Sequence, residues 1–138
     1  MIIVIPSVCM AEDNIQAISY YNTAVDMANA GDMNGALTQV DRSLAIQPNN
    51  TLALATKAGI LNALKQFGEA LSVSDQAILQ DQSFPYGYIT RADALNGLGR
   101  FSEAVAATDE AIRMNPEVPE AWATRGNALL GLGRVKEG

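Results

Sequence analysis

The chain has 138 residues, of which 49% are hydrophobic and 17% charged, and this balance is typical of a folded domain. It contains no histidine and a single cysteine, Cys9, which excludes an intrachain disulfide, a zinc site built from thiolates and a Cys–His nucleophile pair. The formal net charge is −6 and lysine and arginine form no cluster, so the sequence predicts no nucleic-acid partner and no attraction to an anionic membrane surface.

Residues 1–14 differ from the rest of the chain. Residues 1–11, MIIVIPSVCMA, are apolar and uncharged, yet too few to span a bilayer as a helix, which takes about 20 apolar residues. Two interpretations stay open: the remnant of a secretory signal peptide, which would place the protein outside the cytoplasm, or an apolar extension of a cytoplasmic protein. Lipid attachment at Cys9 is less favoured, because Val8 stands where a small residue is usual. Membrane association is expected only through this segment.

The remaining residues, 15–138, repeat with a period of 34. The segment LNALKQFGEAL from Leu61 returns 34 residues later as LNGLGRFSEAV from Leu95. The same frame divides the chain into copies at 17–50, 51–84 and 85–118 and a partial copy at 119–138. Four copies without an insertion indicate a tandem-repeat protein.

Each copy is predicted to form two helices. In the third copy, small and apolar residues follow one helical face up to Gly99, where a helix end is expected, and a second apolar stripe follows up to Pro116. A small residue recurs at one site in each copy, where the paired helices should approach closely: Ala24, Ala58, Ala92 and Gly126. The last copy supplies its first helix alone, so we expect further repeats downstream. Without them, the stripe of Leu129, Leu132 and Val135 would stay partly uncovered and would favour self-association.

This pattern resembles the tetratricopeptide repeat. The family favours a large residue at the fourth position of the repeat, here Tyr20, Leu54, Tyr88 and Trp122, and a small one at the eighth, the four residues named above. The resemblance implies an all-α fold, an α-solenoid of antiparallel helix pairs wound into a right-handed superhelix, whose first helices line a concave groove. It also implies a function in binding other proteins.

Two departures from the family pattern predict local differences in structure. Gln82 replaces a proline that is frequent at this position, which predicts a less sharply turned link between the second and third copies. Val40, Ser74 and Thr108 replace an aromatic residue, which predicts that the second helices pack differently from those of most relatives.

The groove candidates are the first-helix residues that do not face a partner helix. They are Tyr21, Asn29, Asn62, Tyr86, Ile89, Asp93, Asn96 and Asn127. An amide side chain offers both a donor and an acceptor, so Asn62 and Asn96 are expected to contact the backbone of a bound peptide. The alternative is that these asparagines only stabilise helix ends.

Some relatives hold a C-terminal carboxylate with a clamp of basic residues and asparagine. The matching fifth and sixth positions here are not basic: Tyr21, Ala55 and Ile89, then Asn22, Thr56 and Thr90. Lys57, Arg91 and Arg125 recur one position later and are expected to pair with neighbouring acids. We therefore do not expect this chain to bind chaperone tails.

The sequence favours a protein-interaction scaffold that holds an extended peptide or a helix of a partner. An enzyme is not expected, because Asp93 and Glu120, the groove acids, lie in no recognisable catalytic set, and no cofactor or metal is predicted. The alternative is a self-associating assembly segment of a larger protein.

Overall fold

The computed structural model describes residues 6–137, with the side chains of residues 10–134. This part of the chain forms seven helices and no strand. The helices are α1 (Pro6–Asn29), α2 (Met33–Ile46), α3 (Thr51–Ala63), α4 (Phe67–Gln80), α5 (Pro85–Gly97), α6 (Phe101–Met114) and α7 (Pro119–Glu137). Each helix packs on the next, and α1, α3, α5 and α7 also form a row of neighbours. The predicted α-solenoid of antiparallel helix pairs is confirmed.

The turns inside the repeats are built alike. Gly31, Lys65 and Gly99, each 34 residues apart, adopt left-handed backbone angles with φ of 90°, 61° and 75°. The residue after each donates its backbone N–H to a carbonyl five residues earlier, which closes the helix end: Asp32 to Met27, Gln66 to Leu61 and Arg100 to Leu95. Lys65 occupies a conformation that costs a residue with a Cβ atom about 1 kcal/mol or more.

The links between repeats are also alike, which corrects one expectation. The link with Gln82 spans residues 81–84, between α4 and α5, and has the same length as the links at 47–50 and 115–118. The Gln82 carbonyl accepts a hydrogen bond from the Tyr88 hydroxyl at 3.1 Å, and Pro85 opens α5. The link that keeps Pro116 is built in the same way, because the Trp122 indole N–H donates to the Pro116 carbonyl at 2.8 Å and Pro119 opens α7. The difference expected at Gln82 is therefore not seen in the length or the contacts of this link.

Small residues fill the space between paired helices. Ala24, Ala58 and Ala92 are fully buried, as predicted, and they meet Ala36, Ala70 and Ala104 of the second helices. The polar replacements on the second helices are also buried and satisfied. Ser74 donates to the Thr90 hydroxyl at 3.0 Å, and Thr108 donates to the carbonyl of Val105 at 2.9 Å. Packing here depends on hydrogen-bonded small side chains where relatives use aromatic rings.

Helix α1 begins well before the first repeat boundary at residue 17. It spans 24 residues, whereas α3 and α5 span 13 each. Its early turns contact the first repeat, because Gln47 donates to Asn14 at 2.6 Å. Residues 1–5, the first part of the apolar segment, lie outside the described residues. Within residues 6–137, no helix is both long enough and apolar enough to cross a membrane.

Candidate functional site

The row of first helices carries a cavity that lies between α1 and α3 and is bordered by Tyr86 of α5. This cavity, called here the groove pocket, has a volume of about 610 Å³. The residues that line it include Tyr21, Val25, Ala28, Gly59, Ala63 and Tyr86. The space between the two helices remains open because small residues line it on both sides, and two tyrosines border it. The groove pocket is therefore an apolar recess with hydroxyl groups at its edge.

The two tyrosines differ in what holds them. The Tyr21 hydroxyl lies 3.2 Å from Thr56 Oγ1, which links α1 to α3 across the groove. Tyr86 is 43% exposed, and its ring centroid lies 5.8 Å from that of Phe84. Tyr21 is thus fixed by a hydrogen bond, whereas Tyr86 presents a large part of its ring to solvent at the opposite side of the groove pocket.

Asn62 and Asn96 do not present free amides, which corrects the expectation of a peptide-binding ladder. Asn62 donates through Nδ2 to the Thr90 carbonyl of α5 at 3.0 Å, and Asn96 donates to the Thr124 carbonyl of α7 at 3.1 Å. Their Oδ1 atoms are buried and have no hydrogen-bond partner in the described residues. Each amide therefore links one first helix to the next. This contact differs from both expectations, which were contact with a peptide backbone and stabilisation of a helix end.

The other two asparagines lie at different places. Asn29 is exposed and borders the groove pocket. Asn127 is exposed and borders a second cavity of about 510 Å³ with Asn96, Leu130 and Arg134. The four asparagines occupy three different positions of the repeat, so they do not form a single row along the surface.

Ile89 is not a groove residue. It is only 4% exposed and packs against Ala111, Val118 and Ala121 at the junction of the third and fourth copies. The fifth position of the repeat lies at the border between the groove and the neighbouring repeat. A large aliphatic side chain at this border turns into the core, because burying it is worth about 2 kcal/mol.

Asp93 is a half-buried carboxylate on the groove side of α5. Its Oδ1 accepts a hydrogen bond from Thr124 Oγ1 of α7 at 2.9 Å. Burial raises the pKa of the Asp93 carboxyl above its usual value, and the hydrogen bond from Thr124 opposes that shift. No ion pair in residues 6–137 involves Asp93. The other predicted groove acid, Glu120, is exposed in the first turn of α7.

The recurring cations face away from the groove, as the sequence predicted. Each joins a first helix to the second helix of the preceding repeat at 2.8 Å: Lys57 to Asp41, Arg91 to Asp75 and Arg125 to Asp109. Both partners advance by 34 residues, so the pairs form a regular ladder, called here the ion ladder. These three cations are therefore committed to inter-repeat contacts.

Two glycines of the first helices have a packing function. A Cβ atom on Gly97 would lie 2.3 Å from the ring of Phe67, and one on Gly131 would lie 2.4 Å from Phe101. These glycines let each aromatic ring lie flat beneath the next first helix. The sequence signal was available, since both glycines stand 30 residues after their aromatic partners in the same frame.

The groove candidates Tyr21, Asn29 and Tyr86 all line the groove pocket, but the sequence did not predict a recess between them. Ala28, Gly59 and Ala63 also line it. The signal lies in their combination, because small residues face each other across two neighbouring first helices and nothing large fills the space between them. A Cβ atom on Gly59 would meet only Thr90 Cγ2, at 4.0 Å.

Stacked helix pairs with a lined concave surface define the class of α-solenoid repeat proteins. A family model described as a tetratricopeptide repeat matches residues 89–138. No curated protein matches the chain. The first tetratricopeptide domain of human RPAP3 is 19% identical, with a TM-score of 0.82 over 89% of this chain and 97% of that domain.

Two further solved structures have the same fold. The Thermus thermophilus protein TTC0263 is 21% identical, with a TM-score of 0.81 over 88% of this chain and 68% of its own. The second domain of human RPAP3, in complex with the HSP70 peptide SGPTIEEVD, is 24% identical, with a TM-score of 0.76 over 84% and 97%. Residues 89–138 therefore match the tetratricopeptide-repeat family, and the described helices have the fold of tetratricopeptide domains, as the residue pattern predicted.

Proposed function

We propose that this chain is a non-catalytic interaction module that binds an extended segment of another protein along the row of first helices. The observation that carries the proposal is the groove pocket, an apolar recess of about 610 Å³ that opens to solvent between α1 and α3. Recesses of this size that combine apolar walls with a few polar groups are typical of ligand sites. The peptide complex of the second RPAP3 domain supports the same use of the fold.

The segment is not expected to be an acidic C-terminal tail. The residues at the positions of the carboxylate clamp are uncharged, and Lys57, Arg91 and Arg125 are occupied by the ion ladder. An anionic end group would also approach Asp93 and a chain of net charge −6. The surface therefore favours a neutral or cationic segment whose apolar side chain enters the groove pocket.

The test fills the groove pocket without disturbing the core. A Gly59→Leu variant adds a side chain where an added Cβ atom has open space around it. Its matched control is Gly68→Leu on α4, where a Cβ atom meets nothing within 4 Å. The wild type and the two variants are isotope-labelled and titrated with a pool of ten-residue peptides that carry a fixed central phenylalanine. The chemical shifts of the backbone amides are recorded by NMR.

In the wild type and in Gly68→Leu, we expect saturable shifts that cluster at Tyr21, Ala63 and Tyr86. In Gly59→Leu these shifts should disappear while the spectrum remains that of a folded protein. Shifts that are absent from the wild type, or that cluster on the ion ladder, would overturn the proposal.

A second candidate function is self-association through α7. Leu129 corresponds to Leu95, which α6 buries completely, yet Leu129 is 44% exposed and Trp122 is 50% exposed. No helix in residues 6–137 covers this face, and the side chain of Val135 lies outside the described ones. Sedimentation velocity over a dilution series tests it. A dimer that Leu129→Gln dissociates and Leu79→Gln does not would support this candidate, because Leu79 is 75% exposed on another helix.

A further inference from the structure

The half-buried position of Asp93 has no structural explanation in the described residues. The carboxylates of the ion ladder each face a cation, and Asp32 and Asp81 cap turns through hydrogen bonds with Gly35 and Ser83. Asp93 has a single hydrogen bond, from Thr124, and its second oxygen is neither bonded nor enclosed in residues 6–137. A carboxylate that is partly removed from water without a cation costs stability, which is typical of a group retained for binding.

Asp93 stands one repeat beyond the floor of the groove pocket. Gly59 and Asp93 occupy the same position of consecutive repeats, and α3 contacts α5 directly beside Gly59 through Thr90. Packed helices lie about 9 Å apart, and an extended chain advances about 3.3 Å per residue. A peptide running along the row of first helices would therefore pass from the groove pocket to Asp93 in about three residues.

The charges nearby favour a cation at this point. The lining of the groove pocket contains no charged residue, and the three cations of the ion ladder are paired with carboxylates of the second helices. Arg134 borders the second cavity, beyond Asp93 along the row. A cationic side chain arriving from the side of the groove pocket would meet the free oxygen of Asp93 before it approached Arg134, so attraction would outweigh repulsion there.

We propose that the groove recognises a two-part motif, an apolar side chain that fills the groove pocket and a lysine or arginine about three residues away that pairs with Asp93. This inference rests on the proposed function and specifies its ligand. Asp93 acts as the specificity-determining residue, and the groove pocket supplies the apolar contact that both matched and mismatched peptides share.

The experiment separates the two parts of the motif. Fluorescein-labelled ten-residue peptide pools carry a fixed phenylalanine and, three residues away on either side, lysine or glutamine, with small neutral residues elsewhere. Binding is measured by fluorescence polarisation at low salt for four proteins: the wild type, Asp93→Asn, Glu69→Gln and Gly59→Leu. Glu69→Gln removes the same charge from an exposed site on α4.

One lysine pool should bind the wild type about fivefold to tenfold more tightly than its glutamine counterpart, a size typical of a partly solvated charge pair. Asp93→Asn should reduce that ratio to about one by weakening the binding of the lysine pool, and Glu69→Gln should preserve the ratio. Asparagine can still accept the hydrogen bond from Thr124, so the fold is retained.

Two results would overturn this inference while leaving the proposed function intact. The first is equal binding of lysine and glutamine pools to the wild type, with Gly59→Leu still abolishing both. The second is a lysine preference that survives in Asp93→Asn. If no pool binds the wild type saturably, both the inference and the proposed function fail.

Discussion

Neighbouring first helices meet at three seams, and the seam between α1 and α3 differs from the two that follow. The later seams each carry a buried amide, Asn62 between α3 and α5 and Asn96 between α5 and α7. At the first seam the corresponding residue is Ala28, and the helices are linked at the groove by the hydroxyls of Tyr21 and Thr56. The groove pocket opens at the first seam. One residue at a repeated position therefore decides whether a seam between first helices is fastened by an amide, as at Asn62 and Asn96, or not, as at Ala28.

The largest effect is expected from two glycines of the first helices, one packed against an aromatic ring and the other at the groove pocket. Gly97→Ala should lower the free energy of unfolding by about 1–3 kcal/mol, because its Cβ atom would lie 2.3 Å from the Phe67 ring. Gly59→Ala at the groove pocket should raise it by about 0.5–1 kcal/mol, because alanine restricts the unfolded chain and meets nothing closer than 4.0 Å.

Urea unfolding followed by circular dichroism measures both glycine variants. Gly68→Ala provides a reference for the gain from alanine alone, since its Cβ atom has open space. Equal stability changes at Gly59 and Gly97 would contradict the distinction between a glycine at the groove pocket and a glycine packed against a ring.

A smaller effect is expected from the seam amides. Asn62→Ala and Asn96→Ala should each lower the free energy of unfolding by about 0.5–1 kcal/mol. The loss stays small because the Thr90 and Thr124 carbonyls keep their places in their helices and a buried oxygen without a partner is removed. Hydrogen exchange should accelerate in the first helices that flank the altered seam.

The converse change tests the same idea. Ala28→Asn should slow exchange in α1 and α3 if the new amide reaches the Thr56 carbonyl, as Asn62 reaches that of Thr90. Uniform changes along the whole chain would show that these amides do not act seam by seam.

The smallest expected effect concerns the pH dependence of stability. The pKa of Asp93 is raised in the folded state, so folding favours its protonated form. The favourable contribution is present at low pH and is lost as the pH rises through the folded-state pKa. Asp93→Asn should therefore be more stable than the wild type at pH 7, and the difference should shrink toward pH 3.

Thermal unfolding from pH 3 to pH 7 measures this difference. Glu69→Gln removes an acid from the first turn of α4, where negative charge is favourable, so it should not stabilise the protein. If the stability gain of Asp93→Asn is the same at every pH in this range, the gain does not come from ionisation of the Asp93 carboxyl.

The repeat frame was predictable because it rests on periodic residues whose neighbours are fixed by helix geometry. The buried alanines and the ion ladder followed directly from the 34-residue spacing. Contacts across the groove were not predictable in the same way. Asn62 and Thr90 lie 28 residues apart and meet only because α3 and α5 adopt a particular axial offset. A residue pattern specifies which face of a helix is used, but not how far one helix is shifted along another.

The side chains at the fifth position illustrate the same limit. Tyr21 lies at the groove, whereas Ile89 at the equivalent position is buried among Ala111, Val118 and Ala121. The difference comes from the residues around each site, which the repeat frame alone does not reveal. Lys65 likewise adopts the left-handed turn where the frame supplies glycine in the flanking repeats.

The uneven fastening of the first helices also has a mechanical consequence. In a solenoid each repeat contacts only its neighbours. The resistance of the array to bending therefore depends on the contacts at each seam between first helices. The amides stiffen the two later seams, and the hydroxyl contact leaves the first seam the most compliant. Bending would then concentrate where the groove pocket lies, so the width of the recess can adapt to side chains of different size while the rest of the array keeps its curvature.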